Sequence, residues 1–95
     1  MIIVSQDETK IVNFDNLTQI YITQVEEKTA FFIRYETVDS LYDDLGYYKT
    51  EKRAKEVLQE IVKATIETRK SQELNNLFGG AGIIPSNTYY EMPED

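Results

Sequence analysis

Asp39, Asp43 and Asp44 fall within six positions beside a turn signal. Clustered carboxylate oxygens are what Mg²⁺ or Ca²⁺ requires. The stretch lacks the ligand spacing and glycine of an EF-hand loop. On a strand, Asp43 and Asp44 point to opposite faces. The cluster therefore reads as a solvated hairpin end, with no metal site expected. Lys49, Lys52, Arg53 and Lys55 flank the start of a helical pattern. Free N–H groups at a helix start, with basic side chains beside them, can hold a phosphate or a carboxylate. Positive charge at that end opposes the helix dipole by about 0.3–1 kcal/mol per group. Glu51 is spaced to pair with Lys55. Solvation and local pairing are the preferred reading, with Lys52 and Arg53 retained as candidate binding residues. Gly79-Gly80-Ala81-Gly82 resembles a phosphate loop only superficially: no Gly-Lys-Ser/Thr follows, and it comes after a helix rather than a strand.

The chain has no cysteine and no histidine. Disulfides, thiolate chemistry and cysteine-ligated zinc or iron–sulfur sites are thereby excluded. The commonest general base near neutral pH is also missing. Catalysis would fall to Asp, Glu, Tyr, Ser, Thr, Lys or Arg alone, so a non-enzymatic role without a cofactor is favoured. Tyrosine is abundant, at seven residues. Tyr42, Tyr47, Tyr48, Tyr89 and Tyr90 exceed what so small a core needs, and alternation turns some of them outward. Exposed tyrosine offers large contact area at low entropy cost, although it is also a good strand residue.

These groups are positioned by two kinds of pattern. Ile2-Ile3-Val4, Lys10 to Phe14, Leu17 to Val25, Ala30 to Thr37 and Leu41 to Lys49 read as strands. Between them come polar turns at Asp15-Asn16, Glu26-Glu27-Lys28 and Asp39-Ser40. Short loops imply an antiparallel meander. In the fourth run, Phe31, Ile33 and Tyr35 share one face, and Phe32, Arg34 and Glu36 the other. Gly46 suggests a bulge or a close backbone approach. From Thr50, a good N-cap, the period changes. Ala54, Val57, Leu58, Ile61 and Thr65 mark one helical face, with Val62 and Ile66 widening it. Leu58 and Ile61 are its expected centre. The helix should run from Glu51 to about Glu73 and overhang the sheet; after Ile66 the inward positions become Thr68, Arg69 and Gln72, so the apolar stripe fades there, and with Lys70 these residues favour water. Asn75-Asn76 and the glycines then end it, and Asn87 to Met92 offers a last strand.

At 95 residues, the chain is one domain's worth, 1–95. Apolar residues make up 41% and charged residues 28%, an ordinary globular balance. The opening MIIVSQDETK holds too short an apolar run for a signal peptide. No run approaches the roughly 18 apolar residues of a membrane span, so a cytoplasmic protein is expected. Net charge is −7. Residues 1–48 carry 3 basic and 9 acidic groups, residues 49–73 carry 7 and 5, and residues 74–95 carry 0 and 3. This balance disfavours direct nucleic-acid binding.

VSQDETKIVNFDNL, LGYYKTEKRAKEVLQEI and YYEMPED, about half the chain, resemble a group of small uncharacterised proteins of low-GC Gram-positive bacteria and their phages. The middle stretch is the most specific, because it joins a strand to a capped helix in fixed order. The resemblance implies a bacterial or phage-associated cytoplasmic origin and brings no activity, cofactor or catalytic residue.

The expected fold is α+β: an antiparallel meander of about five strands, one long helix packed on the sheet, a Gly-rich loop and a last strand or arm. The expected function is a non-enzymatic protein-binding or assembly module with a protein partner, another copy of the chain being the first choice. Residues 67–85 are its expected contact. There Leu77, Phe78, Ile83 and Ile84 follow the helix as an apolar group in a Gly-rich stretch. The alternative is an acidic inhibitor or mimic directed at a nucleic-acid-handling protein, resting on the net −6 of residues 1–48.

Overall fold

The computed structural model describes residues 1–24, 30–77 and 89–95, with side chains described through Lys70 and again from Tyr89. The fold is α+β, as the change of period from strands to helix predicts. In chain order come β1 (Ile2–Val4), β2 (Ile11–Asn13), β3 (Leu17–Gln24), β4 (Phe31–Thr37), β5 (Tyr42–Tyr48), α1 (Glu51–Leu77) and β6 (Tyr89–Glu91). The antiparallel runs before the helix divide between two sheets, ordered β2-β1-β6 and β3-β4-β5. The division falls where the sequence reads only a turn. The Asn13 side chain accepts a hydrogen bond from the Asp15 N–H (3.0 Å) and caps a 3₁₀ turn over Phe14–Asn16. That turn carries the chain out of one sheet and into the other instead of closing a hairpin. The last strand pairs with β1, in parallel, setting Ile3 opposite Tyr90.

The β1–β2 connection is tied by Asp7. Its carboxylate accepts from the Ser5 and Thr9 hydroxyls (both 2.7 Å) and from the Thr9 N–H (3.0 Å). These donors, Thr9 foremost and then Ser5, hold its pKa well below the usual carboxylate range. A folded pKa below the unfolded value means that stability from this group is present above about pH 3.9 and is lost as pH falls through the lower folded value. Titrated by NMR, Asp7 is expected to reach its midpoint below that reference. A midpoint at or above it would mean the three hydrogen bonds do not persist in solution.

In the second sheet, β3 pairs with β4 and β4 with β5, both antiparallel. Asp39-Ser40 turns the chain as expected: the Ser40 N–H donates to Thr37 O (3.0 Å), with Ser40 at φ 65°. Alternation turns Ile20, Ile22, Phe31, Ile33 and Tyr35 toward the interior, where they pack on or belong to the buried cluster. That cluster is Ile3, Ile33, Leu45, Tyr48, Ala54, Val57, Ile61 and Met92. It draws on both sheets and on the helix.

Thr50 caps α1 as its position predicts. Its hydroxyl accepts from the Arg53 N–H and its carbonyl from the Ala54 N–H, both at 3.1 Å. A cap of this kind contributes about 1 kcal/mol. The buried positions are Ala54, Val57, Ile61 and Thr68. Thr65 lies between them, half-buried, and its hydroxyl donates to Ile61 O at 2.9 Å. The stripe is therefore narrower than expected. Leu58 is only half-buried, and Val62 and Ile66 are 47% and 48% exposed. Thr68 is buried at the inward position its phase gives it, continuing Ile61 and Thr65, although its polarity favours water. The helix also runs through Asn75-Asn76 to Leu77 rather than ending at those asparagines. Among the described residues, no helix is long and apolar enough to cross a membrane.

Candidate functional site

The residues singled out for chemistry separate in space. Asp44 accepts from Arg34 Nε at 2.8 Å, while Asp43 lies 3.6 Å from Lys10 Nζ. The two carboxylates serve different cations on different sides of β5. Among the described residues, no group of three metal-ligating side chains forms. At the helix start, Glu51 pairs with Lys55 at 2.7 Å, and Lys52 is exposed. Arg53 takes a separate role. Its Nε donates to the main-chain oxygen of Asp95 (2.9 Å), and its guanidinium meets Glu60 at 3.2 Å. Leu77 is the last residue of α1, with its side chain outside the described ones. Phe78, Ile83 and Ile84 lie outside the described residues altogether, as do the Gly79–Gly82 stretch and the Glu26–Lys28 turn.

Arg53 belongs to a junction that sequence reading missed, centred on Gln6. The Gln6 N–H donates to Leu45 O (2.7 Å). Its side-chain amide accepts from the Tyr47 N–H (2.9 Å) and donates to Tyr47 O (3.0 Å). One residue thus imitates a short strand along the free side of β5. The same amide nitrogen reaches Pro93 O (3.3 Å) and Glu94 O (2.8 Å). Tyr48 donates its hydroxyl to Pro93 O at 2.8 Å. Burial pushes the Tyr48 phenol up to about 12. Burial, together with the hydrogen bond to Glu60, raises Tyr90 further. Both phenols are therefore neutral donors at any ordinary pH. The tail after β6 fills this junction, so its polar groups are already spent on holding the chain together.

The other face of β3-β4-β5 is different. Cross-strand partners share a side of the sheet, and the register sets out three rows: Thr23–Phe32–Tyr47, Tyr21–Arg34–Asp44 and Gln19–Glu36–Tyr42. The helix and the buried cluster occupy the opposite side. Tyr42 is 63% exposed and Tyr47 55%. The rings of Phe32 and Tyr47 lie 5.7 Å apart, tilted by 38°. The Arg34 guanidinium sits 5.1 Å from the Tyr42 ring centroid while it bonds Asp44. Gln19 donates to the Glu36 carboxylate. Arg34 is thus fixed from two sides, and with it the centre of the face. The surface is aromatic and amphipathic. One arginine against Glu36 and Asp44 leaves it slightly negative, which disfavours a phosphate backbone.

Of the five tyrosines read from the sequence, Tyr42, Tyr47 and Tyr89 are exposed. Tyr48 is buried and Tyr90 half-buried. Alternation alone predicts Tyr47 and Tyr48 on opposite sides. Which of the two faces out depends on the bulge at Leu45-Gly46, where the register slips between Ile33↔Gly46 and Arg34↔Asp44. Compared with known proteins, the chain matches no family model, no curated protein and no solved structure.

Proposed function

We propose that this chain is a non-enzymatic, cytoplasmic protein-binding module of bacterial or phage-associated origin that engages a protein partner through the open face of β3-β4-β5. The observation that carries this reading is the pair of exposed rings Tyr42 and Tyr47, with half-buried Phe32 between the strands, around a fixed Arg34. Tyrosine and arginine are the residues on which binding energy concentrates when a partner excludes water from them. The absence of histidine and cysteine supports a role without catalysis. So does the way Asp43, Asp44 and Glu60 are each committed to a cation. The same pairings weigh against an acidic mimic, which needs unpaired carboxylates gathered on one side.

The test compares the native chain with a Tyr42→Ser/Tyr47→Ser double variant as baits in bacterial lysate. Both rings are already exposed, so the variant should keep its far-UV spectrum. Partners held by the native chain should be lost from the variant by a factor of ten or more, since each hot-spot residue contributes about 2 kcal/mol. Equal capture by both baits, or capture by neither, would overturn the reading.

A further inference from the structure

A sheet edge is a row of unpaired N–H and C=O groups, and proteins blunt such edges with short length, charge, bulges or cover. Among the described residues, three of the four edges here are blunted. β2 has three residues and follows Lys10; β6 has three and carries Glu91. β5 is bulged and its free side is occupied by Gln6. The β3 edge is not. It runs eight residues, Leu-Thr-Gln-Ile-Tyr-Ile-Thr-Gln, with no charge and no proline. Its irregularity is confined to the first positions, between Leu17 and Gln19. From Gln19 to Gln24 it is regular, and among the described residues it pairs only with β4.

We infer that β3 is the seam of a symmetric dimer, in which the β3 strands of two copies pair antiparallel about a twofold axis at Tyr21 and join the two three-stranded sheets into one of six. Charge leaves β3 as the described edge at which a second copy can approach. Two chains of net −7 repel one another over most of their surfaces. Along β3 they meet with no charged residue on either strand. The side-chain pattern fits itself as well. In a twofold antiparallel pair, each residue must face one on its own side of the sheet. An axis at Tyr21 sets Tyr21 against Tyr21, Ile20 against Ile22 and Gln19 against Thr23. The isoleucines meet on the inner side and the polar residues on the outer. An apolar groove of about 280 Å³ runs beside the same edge, between Phe14, Leu17 and Ile20 of one layer and Leu58, Ile61 and Val62 of the helix. The partner strand arrives at its mouth. There it would cover the half-buried Leu58 and the exposed Val62.

The inference goes beyond the partner-binding face and does not rest on it. Two measurements test it. Native mass spectrometry and light scattering on the unaltered chain at high micromolar concentration should give a dimer; a monomer there overturns the inference without touching the binding reading. The second uses the absence of native cysteine. Tyr21→Cys places two thiols opposite each other at the axis, whereas Thr23→Cys places each opposite Gln19 of the other copy. Under mild oxidation, Tyr21→Cys should form a covalent dimer roughly tenfold faster than Thr23→Cys, because only its thiols are held at high effective concentration. Equal rates would show random collision and defeat the register.

Discussion

Replacing Ile61 with alanine is expected to destabilise the protein by about 2–5 kcal/mol. Ile61 is 2% exposed and packs where the helix crosses the sheets, in the cluster with Ile33, Leu45 and Val57. Removing three methyl or methylene carbons there forfeits their transfer energy and leaves a cavity that rigid strands close poorly. Lys63→Ala is the matched comparison, two positions along and exposed. It should stay within about 0.5 kcal/mol, since its side chain already lies in water. Denaturant midpoints report both. Equal midpoints would place the helix in the wrong rotational phase against the sheets.

Gly46→Ala is the second large effect. A Cβ built at Gly46 lies 2.8 Å from Gln6 Cβ and 3.3 Å from Gln6 Cδ. Its backbone does not occupy the left-handed region, so space rather than conformation requires the glycine. Relieving the overlap moves Gln6 off β5 and loosens its bonds to Leu45, Tyr47, Pro93 and Glu94, at an expected cost of about 1–3 kcal/mol. A double-mutant cycle identifies the cause. Gln6→Gly removes the opposing Cβ, so Gly46→Ala should cost markedly less in that background. Gln6→Ala keeps the Cβ, and Gly46→Ala should cost as much there as in the native chain. If both backgrounds behave alike, the contact with Gln6 is not what excludes a side chain at 46.

These two positions also show how much the sequence could disclose. Ile61 and Gly46 were legible because each announces itself locally, one by helical period and one as a glycine inside a strand. The width of the helical stripe was not. Apolar residues at 54, 57, 58, 61, 62 and 66 span about half of the helix circumference, and periodicity cannot say which margin a twisted sheet covers. Thr68 illustrates the converse, since its polarity suggests water while its phase places it inside. Gln6 gave no signal, for nothing in a glutamine after a short strand foretells an edge forty residues away. The open face was half legible: alternation put Phe32, Arg34 and Glu36 together, but the bulge at Leu45-Gly46 decides that Tyr47 joins them and Tyr48 does not. The contact expected over residues 67–85 concerns side chains that mostly lie outside the described residues.

The parallel pairing of β1 with β6 sets the order in which this chain acquires its structure. Ile2 faces Tyr89, so nearly the whole chain must exist before that ladder can close. The β3-β4-β5 meander and α1 depend on neighbours a few residues away and can form first, while a pairing of such long sequence separation bears the full entropy of closure. During synthesis, β1 is made before the other described strands and gains its second neighbour only once β6 exists. For that interval the β6 side of β1 stays open, and the hairpin with β2 must keep β1 from pairing elsewhere. The three hydrogen bonds gathered by Asp7 close that hairpin without help from the rest of the chain. The small polar turn thus acts as a holding device for a strand that waits almost ninety residues for its second partner.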